Sequence, residues 1–283
     1  MLTCSQPARS WFNQEELFTS STFNRLPPFY TYCQTKIALF CVYFSEVIFL
    51  NNILLFIYGA SLASFGFCTG QRLLNGTSLW VKRSFCDHCH QNLSWWQLIP
   101  VLGWCLQKGH CHFCGASISA VSAKLELGYG VLFSLLGPTL TDKNLLLFSL
   151  LQLWLLILAT EDQASLCVTT PLLYGGALVL CVLDAEQFLF FLQLEWPQTL
   201  ALACLFFLLE AWGQFGRADT ICLLVLQLLF GLRFCSWVLL VSALLFCLVN
   251  LHAPLHQPHP FLPSLTTATA LVSLLSSLVP FFN

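Results

Sequence analysis

Long apolar runs recur along this chain with only short polar breaks between them. Asn144–Leu158, Pro171–Leu183, Ser236–Leu251 and Ser264–Phe282 are the clearest. A crossing of the hydrocarbon core takes about 20 apolar residues, and tilt or local thinning accommodates about 15–17. Charge leads to the same reading. Of the 283 residues 8% are charged and 57% apolar, against roughly 25% and 45–50% in a soluble domain. So few charges cannot solvate a globular surface of this size. Twenty-six Phe, nine Trp and a single Met suit a lipid-facing surface. The expected fold is an all-α polytopic membrane protein embedded in the lipid bilayer.

About eight spans are expected. The first covers Leu54–Cys68, with Ile37–Leu50 as its extension or as an extra segment beyond the Asn51–Asn52 break. The others lie near Leu125–Leu136, Asn144–Leu158, Pro171–Leu183, Gln198–Leu209, Thr220–Leu232, Ser236–Leu251 and Ser264–Phe282. This divides the chain into an amino-terminal extension (1–36), a first membrane segment (37–69), a polar loop (70–124) and a membrane core (125–283). Met1–Lys36 carries Arg9, Glu15, Glu16 and Arg25 and no apolar run behind a positive start, so it does not read as a signal peptide. It reads as a poorly structured tail or as sequence upstream of a mis-assigned start.

Five of the eleven Lys and Arg residues (Arg72, Lys82, Arg83, Lys108, Lys124) lie in or beside the polar loop. Positive charge favours the cytoplasmic side. Strict alternation then puts Glu161–Thr170, Glu210–Asp219 and His252–Pro263 inside, and Gly137–Lys143 and Asp184–Pro197 outside.

The loop holds two pairs, Cys86-Asp-His-Cys89 and Cys111-His-Phe-Cys114, separated by 21 residues. In a reducing compartment such pairs are metal ligands rather than disulfides. Each supplies two thiolates from a tight turn, and the segment between folds back to close a tetrahedron around zinc. Four thiolates leave no open position for water, so such a zinc is structural. His88, His90, His110 and His112 crowd the same turns, but the paired spacing needs no help from them. A few positive charges on a membrane-tethered loop do not make a nucleic-acid ribbon.

Acidic residues at the ends of membrane spans are costly and raise a functional question. Asp162 ends the Asn144–Thr160 span. Asp219 follows Gly213-Gln-Phe-Gly216-Arg-Ala. Both fall at the cytoplasmic edge in the alternating topology. Two carboxyls at one depth can share a proton and activate a water between them, which is the logic of aspartic proteases. Gly216 and Ala218 are small enough to leave room beside Asp219 for an extended substrate. The plain alternative is that both are loop acids flanking helices, as with Asp142, Asp184 and Glu195.

Five stretches together resemble the prepilin peptidase family, including its short competence-type members in Gram-positive bacteria. They are Gly59-Ala-Ser-Leu-Ala-Ser64-Phe65 with Gln71-Arg72-Leu73, and Ser84-Phe-Cys86-Asp-His-Cys89 with Leu93 to Leu102. Gly109-His-Cys111-His-Phe-Cys114 continues to Glu126. Gly216-Arg-Ala-Asp219 resembles the GxGD motif, and Pro260-Phe261-Leu262-Pro263-Ser-Leu265 resembles the motif before the last span. The match runs over roughly Leu54–Phe282.

The resemblance implies cleavage of the basic leader of type IV prepilins or pseudopilins, after its terminal glycine, at the cytoplasmic face of the bacterial plasma membrane. In many members it also implies N-methylation of the new amino terminus with S-adenosylmethionine. On matching positions Asp162 and Asp219 are the catalytic pair. Cys86, Cys89, Cys111 and Cys114 hold zinc, and Gly216, Ala218 and Glu126 are turn or substrate positions. Two other classes compete. One is a non-enzymatic zinc-looped scaffold of a pilus-like or competence apparatus, which would tolerate Asp→Asn changes. The other is a transporter, which the edge position of the acids and the lack of an inverted repeat disfavour.

Overall fold

In the computed structural model the described residues are 28–77, 84–86, 88–213, 215–251 and 259–278. The extension up to residue 27 and the segment around His256 lie outside them. The chain forms two compact units, residues up to Leu50 and Asn51–Asn283; the sites below all belong to the second. Nine α-helices are described: α1 (Pro28–Leu74), α2 (Leu102–Leu106), α3 (Val121–Leu136), α4 (Asp142–Ser165), α5 (Thr170–Leu183), α6 (Ala185–Leu194), α7 (Trp196–Ala211), α8 (Arg217–Val249) and α9 (Leu262–Leu278). Two isolated β-bridges occur and no β-strand, among the described residues.

All eight expected spans lie on helices wherever they are described, save that Asn250 and Leu251 run past the end of α8. Their number as crossings is smaller by length and composition. Three helices qualify, Glu46–Leu74, Asp142–Ser165 and Arg217–Val249, or four if the pair α5 and α6, bent by 91°, is one span. The difference has a physical origin. Helices α3 and α7 have 16 residues and α9 has 17, short of the ~20 that cross without tilt.

Helix α8 holds two of the expected spans. Gly231 sits at φ 82°, ψ 169° within it, a conformation open to glycine and closed to other residues. The Cys235 thiol donates to the carbonyl of Leu223 at 3.5 Å. Twelve residues of straight helix would hold those groups about 18 Å apart, so the chain reverses at Gly231. The freed N–H of Leu232 donates to Glu195 Oε2 at 2.9 Å, and Gln227 donates to the hydroxyl of Thr199 at 3.1 Å. Residues at the start of α7 thus pin the hairpin.

Helix α4 is the axis of the bundle. Thr141 caps its start by accepting from Asn144 N–H, and most of its length is buried. One face packs in a core with α5, α7, α8 and α9, which includes Leu151, Leu155, Leu158, Leu223, Leu226 and Leu265. The other face meets α1 and α3 around Ala63, Phe133 and Leu156. Lipid is as apolar as leucine, so such helices associate through close packing rather than through hydrophobic burial. Small residues on α1 provide it: a Cβ on Gly66 would lie 2.9 Å from Leu156, and one on Gly70 would lie 2.7 Å from Thr160 Cβ. Hydrogen bonds across helices add to this, with Tyr129 donating to Gln152 at 3.2 Å and Thr266 to the Leu155 carbonyl at 3.3 Å.

Candidate functional site

Asp162 lies in the last turn of α4 and Asp219 in the first turn of α8. The two helices pack in one core, and their ends frame a cavity of about 240 Å³. Its lining includes Asp162, Asp219, Gly216, Ala218, Arg217 and Tyr174. Leu166, Val168, Thr170 and Leu173, from the α4–α5 turn and α5, close another side.

Each carboxyl is held by backbone. Asp162 Oδ2 accepts from Leu262 N–H at 3.1 Å and the same carboxyl is bonded by Phe261 N–H. These are orphan donors at the start of α9, which a carboxylate satisfies while meeting the positive end of the helix dipole. The Asp219 carboxyl bends back to the N–H of Gly216, the residue that caps α8. A Cβ at 216 would stand 2.7 Å from Asp219 Oδ2, so a larger residue there would have to displace the carboxyl. Arg217, on the rim, is drawn outward by Glu210, Nε to Oε1 at 2.7 Å.

Glu161, beside Asp162, points elsewhere. It is buried, and its carboxylate takes the N–H of Thr169 at 2.9 Å and the Thr169 hydroxyl at 2.5 Å.

The four paired cysteines meet in the segment between α1 and α3. Their sulfurs all lie within 4.8 Å of one another, with Cys86 and Cys114 4.0 Å apart. Tetrahedral zinc with Zn–S near 2.3 Å sets sulfurs roughly 3.8 Å apart, so these thiols can hold a metal ion such as zinc. Two turns of one design build the cluster. Cys86 N–H bonds the Gln91 carbonyl and His90 N–H bonds that of Cys86; Cys111 N–H bonds the Ala116 carbonyl and Gly115 N–H bonds that of Cys111. His90 and Gly115, each just after its second cysteine, have positive φ of 56° and 69°. Backbone hydrogen bonds from Cys114 and Phe113 bring the Cys111 thiol down to about 6, while at Cys114 the backbone bond at Ala116 is outweighed by burial and the neighbouring thiols, which push it up to about 11.

Glu126, on α3, stands apart from the aspartate cavity. Its Oε2 accepts from Val101 N–H at 2.6 Å and its Oε1 from the Ser122 hydroxyl at 2.9 Å. Val101 has φ 63°, a costly position for a β-branched residue. The contact ties the cysteine module to a bundle helix.

Residues 57–139 match the family profile described as Bacterial Peptidase A24 N-terminal domain. A Klebsiella pneumoniae protein named Prepilin leader peptidase/N-methyltransferase is 33% identical over 154 residues, covering 50% of this chain and 68% of that protein. The chain belongs to the prepilin leader peptidase/N-methyltransferase family. Proteins of the same name are similar to it from Bacillus subtilis, 38% identical over 84 residues (30% of this chain, 34% of that protein), and from Aeromonas salmonicida, 36% over 110 residues (36% of each). The chain thus spans about a third of the length of these two relatives. No solved structure matches it.

In this family member the stretch matched by the profile holds the four cysteines and Glu126, while both aspartates lie beyond it. Sequence reading missed the N–H donors at the start of α9 that meet Asp162, and the bonded pair Glu161 and Thr169. Backbone donors leave no residue signature. The Pro260–Leu265 stretch was visible as a motif, without the contact it makes.

Proposed function

We propose that this protein is a membrane aspartic endopeptidase that removes the basic leader of type IV prepilins or competence pseudopilins at the cytoplasmic face of the bacterial plasma membrane. The supporting observation is one cavity bounded by both Asp162 and Asp219, 57 residues apart in sequence, on the ends of two packed helices. The name the relatives carry, Prepilin leader peptidase/N-methyltransferase, supports the substrate class and the second activity.

In the cleavage step one carboxyl is ionised and takes a proton from a water between the pair. The other is protonated and donates to the scissile carbonyl, so charge is divided before the bond is made. Water oxygen attacks the carbonyl after the leader glycine, and the tetrahedral intermediate collapses as the leaving amine is protonated. Leu262 and Phe261 N–H hold Asp162 while this happens, and Gly216 N–H holds Asp219. Gly216 and Ala218 leave the near wall open to an extended backbone.

Cys86, Cys89, Cys111 and Cys114 would hold zinc, which gives the loop its fold and takes no part in hydrolysis, since four thiolates fill its coordination. Residues 70–124 are then the zinc loop and 125–283 the peptidase core. Residues 1–36 precede both as an extension. N-methylation of the mature amino terminus, with S-adenosylmethionine as donor, is the second activity we assign, and Glu126, on α3, ties the loop to the core through Val101 N–H.

The test is Asp162→Asn and Asp219→Asn, each with a pseudopilin in membranes, read by the mass of the pseudopilin's amino terminus. Each change should lower cleavage by several orders of magnitude while the protein still accumulates. Either variant cleaving at near wild-type rate removes that residue from catalysis, and both doing so leaves the scaffold reading. Mass also reports methylation.

A further inference from the structure

We propose that Glu161 and Thr169 form a positioning clamp that fixes the Leu166–Thr170 strap as a wall of the substrate cavity beside Asp162. The proposal rests on the reading of Asp162 as a catalytic carboxyl.

Thr169 is at the N-cap of α5, where its hydroxyl would ordinarily accept from the first turn of the helix. It makes no such bond. The hydroxyl donates to Glu161 Oε1 and the backbone N–H donates to Oε2, so one residue occupies both oxygens of a carboxylate that is 2% exposed. Glu161 is also not among the residues that line the cavity, so it is not placed for base catalysis there. It does have the geometry to fix the distance between the end of α4 and the start of α5.

The strap between those ends is costly to hold. Leu166 adopts φ 56°, ψ 17°, a left-handed conformation that non-glycine side chains rarely take. Its N–H donates to the carbonyl of Asp162 at 2.9 Å. The Ser165 hydroxyl donates within the turn, to the carbonyls of Glu161 or Cys167, and accepts from Cys167 N–H. Leu166, Val168 and Thr170 then stand in the cavity lining with Asp162. The side chain of Asp162 is fixed independently, by α9. Loosening the clamp should therefore weaken the grip on substrate more than the chemical step.

The experiment compares wild type, Glu161→Gln, Glu161→Ala, Thr169→Val and Asp162→Asn in membranes. Two quantities are read: amide hydrogen exchange in peptides covering 165–172, and kcat and KM on a pseudopilin. Glu161→Ala should speed strap exchange about tenfold or more, the loss of two hydrogen bonds to a buried charge, with peptides of α9 unchanged. It should raise KM about fivefold or more with kcat within about twofold. Glu161→Gln, which can still accept and donate, should keep both near wild type. Thr169→Val should move both in the direction of Glu161→Ala by a smaller factor, and it carries the test alone if Glu161→Ala does not accumulate. Unchanged exchange in Glu161→Ala or Thr169→Val overturns the clamp. So does loss of kcat in Glu161→Gln at unchanged KM, which would make Glu161 a catalytic group. Active Asp162→Asn would sink the peptidase reading on its own and leave the exchange result standing.

Discussion

The backbone N–H of Leu262 donates to Oδ2 of Asp162 at 3.1 Å across 100 positions of sequence. Leu262 opens α9 and is fully buried, so the donor is fixed by the packing of the helix against α4. Orientation of a reacting carboxyl through a backbone donor has one clean test, removal of the hydrogen without removal of the helix.

Proline at position 262 provides it, because the first helical position tolerates proline. Leu262→Pro should lower leader cleavage about 10- to 100-fold, in the range of losses from misplaced reacting groups. Leu262→Val keeps the N–H and trims the side chain, and it should stay within a few-fold of wild type. Cleavage rate normalised to protein accumulation distinguishes them; equal rates would show that the donor does not matter.

Metal content is the second measurement. Purified protein should carry about one zinc per chain, the stoichiometry of a four-cysteine site. Changing both Cys111 and Cys114 to Ser should abolish it and loosen the segment between α1 and α3. Elemental analysis with limited proteolysis reads both, and wild-type protein without stoichiometric metal would refute the site.

Glu126→Ala leaves Val101 N–H without its acceptor, a loss of about 1–3 kcal/mol for a part-buried donor. Hydrogen exchange should rise across residues 95–106 while zinc content holds, because the cysteine turns are closed by their own backbone bonds. Glu126→Gln retains an acceptor and should recover most of the protection. Loss of zinc in Glu126→Ala would mean that the tether and the metal cluster fold as one unit.

Topology is the fourth. Reagents restricted to one side should reach residues near Lys108, Asp162 and His256 from the cytoplasm and residues near Asp142 and Glu195 from outside, following the basic excess of the loop. Asp162 and Asp219 found on opposite sides would end the two-carboxyl mechanism.

Much of this was readable from sequence where the signal was local. The two CxxC pairs carry their ligand geometry within four residues each, so their convergence followed from spacing. The apolar runs located the helices, but a count of crossings requires length, and α3, α7 and α9 are ambiguous at 16–17 residues. The expected spans Thr220–Leu232 and Ser236–Leu251 leave their break at 233–235; the reversal falls at Gly231, where backbone freedom rather than polarity decides. For Asp162 and Asp219, spacing fixed the depth of each and left their meeting to the resemblance. The partners of Asp162 and Glu161 are backbone amides and one hydroxyl, groups that every chain carries in quantity.

The reversal at Gly231 also governs reach. A straight helix from Asp219 to Val249 would carry the chain about 45 Å away. The 13 Cα steps from Val249 to Leu262, fully drawn out, span at most about 47 Å. The amino end of α9 could then regain the level of Asp219 only along a connection with almost no slack. By doubling back, α8 brings its own tail home first, so that a connection of modest length suffices. One glycine, far from either carboxyl, spares the chain that tether.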